Sequence, residues 1–430
     1  MADSTTARTD RRHWLLATLA GMASYLDSGV IITVGLSLAT WRSELGLSAL
    51  TLGVISATLT LSIAVGALVG GRLADLLGRR RMFTADLAVY VVGVAMVAAA
   101  DGPVMIIGGV AVAGLAAGAD LPTSIAVVSE LAPEGARARL VAFTQVMWSV
   151  GISVVTVLGF AVSALGLTGV RLLFVHLALL GAITWVLRAF SPPLRRLEAE
   201  ALGENRMQPQ SAMPLRALVS SRSLLGTIAL TGLFYVAWNL MANTIGQFKV
   251  FYLVTVSGAD QTLATGLSFV ISIISLGTGI AFVRIADTRL RRPLFYVGAL
   301  LQVVAMAIGA LSGGTVLGAM VALLVIYNLA YPFAGEALYK VWTQEGFPAN
   351  ARASVQGFTY SVSRLLCAGF ALVTPLIAEA NPAALLWILA GCAAASGLVG
   401  SALIQRLAHH PAADPAAHRH IVTAPHSIGE

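Results

Sequence analysis

Charge is scarce in this chain: Asp, Glu, Lys and Arg together make up 11% of its 430 residues, and lysine occurs only at Lys249 and Lys340. A soluble domain carries about a quarter of its residues as charges, so this sequence cannot cover a water-exposed surface. Cysteine is almost missing too. Cys367 and Cys392 both fall inside apolar runs, where small packing residues are expected and no disulfide or redox pair is implied. Phosphate loop, nucleophile elbow, metal-ligand cluster and dinucleotide fingerprint are all lacking. These absences argue against an enzyme and against a bound cofactor or metal. The apolar runs do not alternate with polar residues, which excludes a membrane β-barrel.

What is present is hydrophobicity: 57% of residues, with a mean hydropathy of +0.84. A membrane helix needs ~20 apolar residues to cross a core of ~30 Å. Twelve such spans are expected, at 13–39, 48–71, 83–100, 104–131, 138–164, 169–190, 224–254, 262–285, 292–312, 315–341, 353–378 and 382–407. The fold class is therefore all-α and polytopic, a protein whose surroundings are the lipid bilayer. Its 42 glycines suit helices that approach one another closely without a hydrophobic drive between them.

The formal net charge of +7 does not point to nucleic acid, because the arginines gather in alternate loops. Arg8, Arg11 and Arg12, Arg79 to Arg81, Arg137 and Arg139, and Arg284 to Arg292 share one side if the chain starts in the cytoplasm. The bias of basic residues toward the inner face then puts both termini there, in a plasma membrane of bacterial type. The first apolar run is too long for a signal-peptide core and is expected to stay as a helix.

A long polar stretch divides the chain. The expected organisation is an N-terminal tail (1–12), a six-helix bundle (13–190), a linker (191–223), a second bundle (224–407) and a tail (408–430) whose histidines suggest no metal site. Two internal matches support duplication. Arg72-Leu-Ala-Asp75-Leu-Leu-Gly-Arg79-Arg80 repeats as Arg284-Ile-Ala-Asp287-Thr-Arg-Leu-Arg291-Arg292, and Glu130-Leu-Ala-Pro133 with Arg137 repeats as Glu345-Gly-Phe-Pro348 with Arg352. Two parallel bundles of this kind place a binding site between them at mid-membrane.

Gly71-Arg-Leu-Ala-Asp75-Leu-Leu-Gly78-Arg79-Arg80-Arg81 resembles the signature between helices 2 and 3 of the major facilitator superfamily, and the resemblance runs over the whole chain between its tails. It implies that Gly71, Asp75, Gly78, Arg79 and Arg80, with Asp287 and Arg291 of the repeat, form a cytoplasmic latch. Within the superfamily, Tyr25-Leu-Asp27-Ser-Gly29, Gly114-Leu-Ala-Ala-Gly118 and Ser129-Glu130-Leu-Ala-Pro133-Glu-Gly-Ala-Arg137 resemble sugar porters. Trp238-Asn239-Leu-Met-Ala-Asn243-Thr-Ile-Gly-Gln247 and Gly335-Glu336 onward are similar to inositol-type members. One departure matters: where sugar porters place an arginine after the glycine of the fourth helix, this chain has Val110.

Asp27 lies near the middle of the first span, where a charge costs at least ~2.5–3.5 kcal/mol and marks a functional pathway by default. Burial disfavours the ionised form of a carboxylate, which suits a group that binds and releases a proton near neutral pH. Asp27 is thus the first candidate for proton coupling. The alternative is an aspartate satisfied by Ser28 or a nearby amide. Asp120, beside Pro122, is a second candidate, or else a cap for a helix break there. Arg364 stands as the one arginine well inside a span. Its partner is a carboxylate of the other bundle, a substrate carboxylate or a set of backbone carbonyls.

Amides both donate and accept, and rings cover sugar faces, so a polyhydroxy substrate calls for both. Tyr235, Asn239, Asn243 and Gln247 recur every four residues on one face of the seventh span, bordered by Trp238. Gln145 and Trp148 of the fifth span, Tyr327, Asn328 and Tyr331 of the tenth, and Arg364 extend the substrate set. Glu130 with Arg137 and Glu345 with Arg352 read as conformational salt bridges at helix ends, and Glu336 with Lys340 as a pair within one helix. The sequence supports a proton-coupled importer of a small polar metabolite, a polyol or sugar such as an inositol, working as a monomer. The alternatives are an organic acid symporter gripping its substrate through Arg364 and a proton-driven exporter.

Overall fold

The computed structural model describes residues 11–77, 79–131, 137–194, 196, 222–285, 288–347 and 349–409. Among these, every regular element is helical. The first half contains α1 (Arg11–Glu44), α2 (Ala49–Leu77), α3 (Arg79–Ala98), α4 (Pro103–Leu131), α5 (Arg137–Val162) and α6 (Gly166–Phe190), with a short 3-10 turn at Ser163–Leu165. The second contains α7 (Arg222–Thr255), α8 (Gln261–Ile285), α9 (Arg291–Leu311), α10 (Leu317–Ala330), α11 (Glu336–Glu345), α12 (Ala349–Ala380) and α13 (Pro382–His409).

Eleven of the twelve expected spans are single helices, and the tenth is not. Its expected continuous run over 315–341 is broken into α10 and α11 at Tyr331-Pro332-Phe333-Ala334-Gly335. Pro332 has no N–H to continue the ladder and disfavours helical geometry in the residue before it. Gly335 faces the Trp238 ring so closely that a β-carbon there would collide with it. The break thus coincides with the place where the chain passes closest to the Trp238 indole.

Burial separates inner helices from outer ones. α1 is buried almost all round, from Leu16 to Trp41, as befits a helix lodged among α4, α5, α6 and α7. On α6, by contrast, Leu172, Val175, Leu179, Ile183, Val186 and Phe190 are exposed at three- and four-residue spacings. That apolar stripe is a lipid-facing surface. The same holds for Val297, Leu300, Val304 and Leu311 of α9.

The halves meet through α1 with α7, α2 with α12, and α5 with α8. The last two pairs exchange under the twofold relation of the repeats, since the second and fifth spans of one half meet the fifth and second of the other. The named contacts lie at mid-depth or toward the end away from the termini. Arg42 of α1 pairs with Glu379 of α12 at 3.0 Å, Gln261 Nε2 donates to the Leu36 carbonyl at 3.0 Å, and Ser163 donates to Thr262 at 3.1 Å. Gly35 and Gly53 lie so close to the Gln247 and Leu372 carbonyls that any side chain would clash. Backbone therefore meets backbone there, and that end of the molecule is shut.

Candidate functional site

Halfway along α1, Asp27 is fully buried, and neither of its carboxylate oxygens has a hydrogen-bond partner among the described residues. Its neighbours are committed elsewhere. Ser28 Oγ donates to the Tyr25 and Trp148 carbonyls at 3.0 and 2.9 Å, so it does not satisfy Asp27. Tyr90 donates to the Leu26 carbonyl at 2.9 Å, and the Tyr25 hydroxyl bonds His176 Nε2 at 2.8 Å. Val110, the residue that stands in for the arginine of sugar porters, is buried and apolar.

A cation of the other half nevertheless acts on Asp27 through space. Arg364 of α12 is buried, and its charge and that of Asp27 act on each other across the interface. Its Nη2 donates to the Tyr360 hydroxyl at 2.6 Å, its guanidinium lies 5.0 Å from the centre of that ring, and its Nε has no partner among the described residues. Among the described residues no carboxylate lies within ion-pair distance of Arg364, and its hydrogen bond goes to Tyr360 on its own helix. Glu336 at the start of α11 adds a second acid to the same field. It also pairs with Lys340 one turn on, at 3.1 Å.

Around these charges stands a wall of rings. Tyr235 stacks on Tyr339 at 4.0 Å between centres and 16° between planes, and lies 5.9 Å from Trp238 and 5.8 Å from Tyr360. Trp238 reaches Tyr331 at 5.4 Å, and Tyr331 reaches Tyr327 at 5.9 Å. Tyr339 in turn bonds Thr359 at 2.6 Å. The helix break between α10 and α11 turns Tyr331 and Tyr339 toward α7 from two directions. Tyr339 and Tyr360 were not among the residues singled out in the sequence. Tyr360 could have been found, being one turn before Arg364 on the same face.

The amides of α7 divide by role. Asn239 donates to Ser363 Oγ at 3.0 Å and so ties α7 to α12. Gln247 is buried with both amide atoms unpartnered among the described residues, as is the indole Nε1 of Trp238. Buried polar groups of this kind call for a partner. Asn243 is half-buried between them. Asn328 is turned back onto its own helix, donating to the Leu324 carbonyl at 2.8 Å. Trp148 of α5 is half-buried, and the side chain of Gln145 lies outside the described residues.

One expectation needs correction. α4 runs unbroken past Pro122, so Asp120 caps no break there; it accepts from Arg188 of α6 at 2.7 Å and from Ser124 Oγ at 2.6 Å. Arg364 lies well inside its span, yet it is not the most buried arginine described. Arg188 is more completely buried, a fact hidden by its position near the end of a span. At the end bearing the termini, Arg291 binds Glu345 through two contacts of 2.7 and 3.0 Å, which gives Glu345 a partner in α9. The side chains of Gly71, Asp75, Arg79, Arg80, Glu130, Arg137 and Arg352, and all of Gly78 and Asp287, lie outside the described residues.

Comparison with known proteins agrees with this architecture. The sequence pattern of the Major Facilitator Superfamily matches residues 14–371. The chain is 31% identical over 397 residues to the minor myo-inositol transporter IolF of Bacillus subtilis (strain 168), covering 89% of this chain and 88% of that one. In shape it is similar to a crystal structure of a D-xylose–proton symporter, with a TM-score of 0.73 at 20% identity, covering 90% of this chain and 96% of that one. It is likewise similar to the inward-open xylose transporter XylE from E. coli, with a TM-score of 0.69 at 18% identity, covering 90% and 94%. At those identities the likeness shows the fold. An integral membrane protein built of apolar helices in two halves, this chain belongs to the Major Facilitator Superfamily of transporters.

Proposed function

We propose that the protein imports a small polar metabolite, a polyol or sugar of the inositol class, together with protons, by alternating access between its two halves. The observation that carries this reading is Asp27, buried without a hydrogen-bond partner among the described residues and within the field of Arg364 of the other half. Protonated, Asp27 is neutral and makes no demand on Arg364. Once the proton leaves, the carboxylate attracts the guanidinium from the opposite bundle, so the charge state of one side chain biases how the halves sit together. An ion pair of this kind replaces the local arginine that Val110 displaces.

Substrate class follows from the wall and its unpartnered polar atoms. Ring faces of Tyr235, Trp238 and Tyr331 cover the C–H face of a polyol, while the Gln247 amide and the Trp238 indole N–H supply hydrogen bonds to hydroxyls. Likeness to a myo-inositol transporter over most of the chain supports the same class. With the termini placed in the cytoplasm by the arginine distribution, the closed end is the extracellular one, and Arg42, Gly35 and Gly53 belong to the outer gate. The protein works as a monomer and draws on the proton gradient alone.

The test is uptake of radiolabelled myo-inositol into proteoliposomes with an imposed proton gradient. Wild type accumulates it; Asp27→Asn exchanges inositol across the membrane without accumulating it. Accumulation by Asp27→Asn at the wild-type level would overturn the coupling role. A protein that moves only carboxylic acids would overturn the polyol assignment.

A further inference from the structure

A second group of buried charges lies in the first half, toward the end that bears the termini, where α1, α3, α4 and α6 meet. Its side chains are almost completely sealed: Arg188 at 0%, Asp86 at 1% and Asp120 at 3% exposure. A guanidinium has five N–H bonds to give, and each of Arg188's has a taker. Nε and one Nη2 hydrogen go to the Leu19 carbonyl at 3.1 and 2.8 Å, and the other Nη2 hydrogen goes to Ser124 Oγ at 3.2 Å. Nη1 serves the Phe83 carbonyl at 2.8 Å and Asp120 Oδ1 at 2.7 Å. The face of the guanidinium is taken as well, 3.8 Å from the centre of the Phe83 ring.

Asp86 is left over. Its Oδ1 accepts from the Leu87 amide at 2.8 Å and stands 3.9 Å from Arg188 Nη1, beyond hydrogen-bond distance, and its Oδ2 has no partner among the described residues. Oδ2 of Asp120 is likewise unpartnered. Among the described residues, two carboxylates and one cation leave one negative charge without compensation, with the side chains almost completely buried. Among the described residues the charges acting on Asp86 are those of Asp120 and Arg188, and the next acid inward is Asp27 of α1, which adds repulsion toward Asp120 and no cation. A buried carboxylate in that position is expected as the acid, not the anion.

We propose that Asp86 holds a proton beside the Asp120–Arg188 pair, a second proton-binding site separate from Asp27. The Asp120–Arg188 pair is the fixed part. Asp86 carries the proton, and its loss puts a bare charge among four helices of the first half. The site then sets the alkaline limit of the protein: above it the first half loosens, and, resting here on the transport reading above, exchange of substrate falls with it.

Thermal melting of the purified full-length protein, followed from acid to alkaline pH, tests this without any substrate. Wild type is expected to lose melting temperature by several degrees as pH rises. Asp86→Asn, which mimics the protonated acid, is expected to flatten that slope and to melt above wild type at the alkaline end. Asp120→Asn leaves Asp86 as sole partner of Arg188 and is tolerated in the same way. The double variant strips Arg188 of both acids and melts lower than the two single losses predict. An unchanged slope in Asp86→Asn, or a double variant no worse than the singles, overturns the proposal. Myo-inositol exchange measured over the same pH range separates the two readings: exchange in Asp86→Asn that persists at pH values where wild type fails supports the site, and exchange that falls off at the wild-type pH overturns it. Absence of exchange in every protein would sink the transport reading and leave the melting result to decide the site.

Discussion

The two halves share a fold and divide the chemistry. In the first, the buried groups of full charge among the described residues are Asp27, Asp86, Asp120 and Arg188, set among small aliphatic residues such as Ala113, Ala116 and Ala117 and hydroxyls such as Ser28, Thr60 and Ser124. In the second, Arg364 is the buried residue of full charge among the described residues, and the other buried polar groups are amides such as Asn239 and Gln247, hydroxyls and rings, with Tyr235 stacked on Tyr339 and near Trp238. Asn239 stands at the point of the duplication where the first half has Asp27. On the function proposed above, that difference shows what a duplicated bundle gains by diverging: one copy keeps the buried acids, the other keeps amides and rings suited to grip, and their interface joins the two tasks. A helix break follows the same division. α4 passes Pro122 without interruption, whereas the tenth span is severed at Pro332, where the Trp238 ring also occupies the space.

The strongest way to break the comparison is to remove its joint. Arg364→Ala removes the cation that acts on Asp27 and is expected to abolish proton-driven accumulation of myo-inositol, with a smaller loss from Arg364→Lys, whose ammonium lacks the planar fork. Accumulation by Arg364→Ala near the wild-type level would mean that the halves do not communicate through this pair. Next in size is steric. Gly53→Val places methyl groups against the Leu372 carbonyl and is expected to hold the end away from the termini open. A cysteine introduced on the inner side of that gate should then react with a membrane-impermeant thiol reagent in Gly53→Val and stay protected in wild type.

A smaller effect sharpens the division of labour. Trp238→Leu removes the ring face and its unpartnered indole N–H, and the KM for inositol is expected to rise about tenfold, equivalent to ~1.4 kcal/mol. The accumulation ratio at saturating substrate is expected to hold, since the ring belongs to the gripping half. A change in coupling ratio with an unaltered KM would reverse the assignment. The smallest effect belongs to the exposed inter-half pair. Arg42 and Glu379 are 34% and 27% exposed at 3.0 Å, so Glu379→Gln is expected to change the balance between open and closed forms by no more than ~1 kcal/mol, less in high salt. Thiol protection at the same reporter cysteine measures it.

Much of this was legible in the chain. Asp27 stood out because a carboxylate in the middle of an apolar helix is costly wherever the helix sits, and the stripe from Tyr235 to Gln247 followed from a spacing of four alone. Tyr339, Tyr360 and Asp86 escaped notice for a common reason. Each lies in a stretch of ordinary composition, and its role depends on a neighbour that is far along the chain. Arg188 was concealed differently: at the end of a span an arginine ordinarily reaches for the interface, and nothing local to α6 announces that Leu19, Phe83 and Asp120 wait for it on three other helices.

The sequence by itself determined that the chain is a bundle of membrane helices, where most of those helices begin and end, and that the two halves are copies. Hydrophobic length and the periodicity of polar residues are properties of a single segment, and lipid enforces them segment by segment. Partnership was decided only by the tertiary structure. Whether Asp120 meets Asp27 or Arg188, whether Gln247 finds a donor, and which cation acts on Asp27 depend on how helices distant in sequence rotate against one another. Those rotations are fixed by the close packing of small residues at the contacts, such as Gly35 on Gln247 and Gly53 on Leu372, because between helices in lipid it is fit, and no longer hydrophobicity, that selects the neighbour.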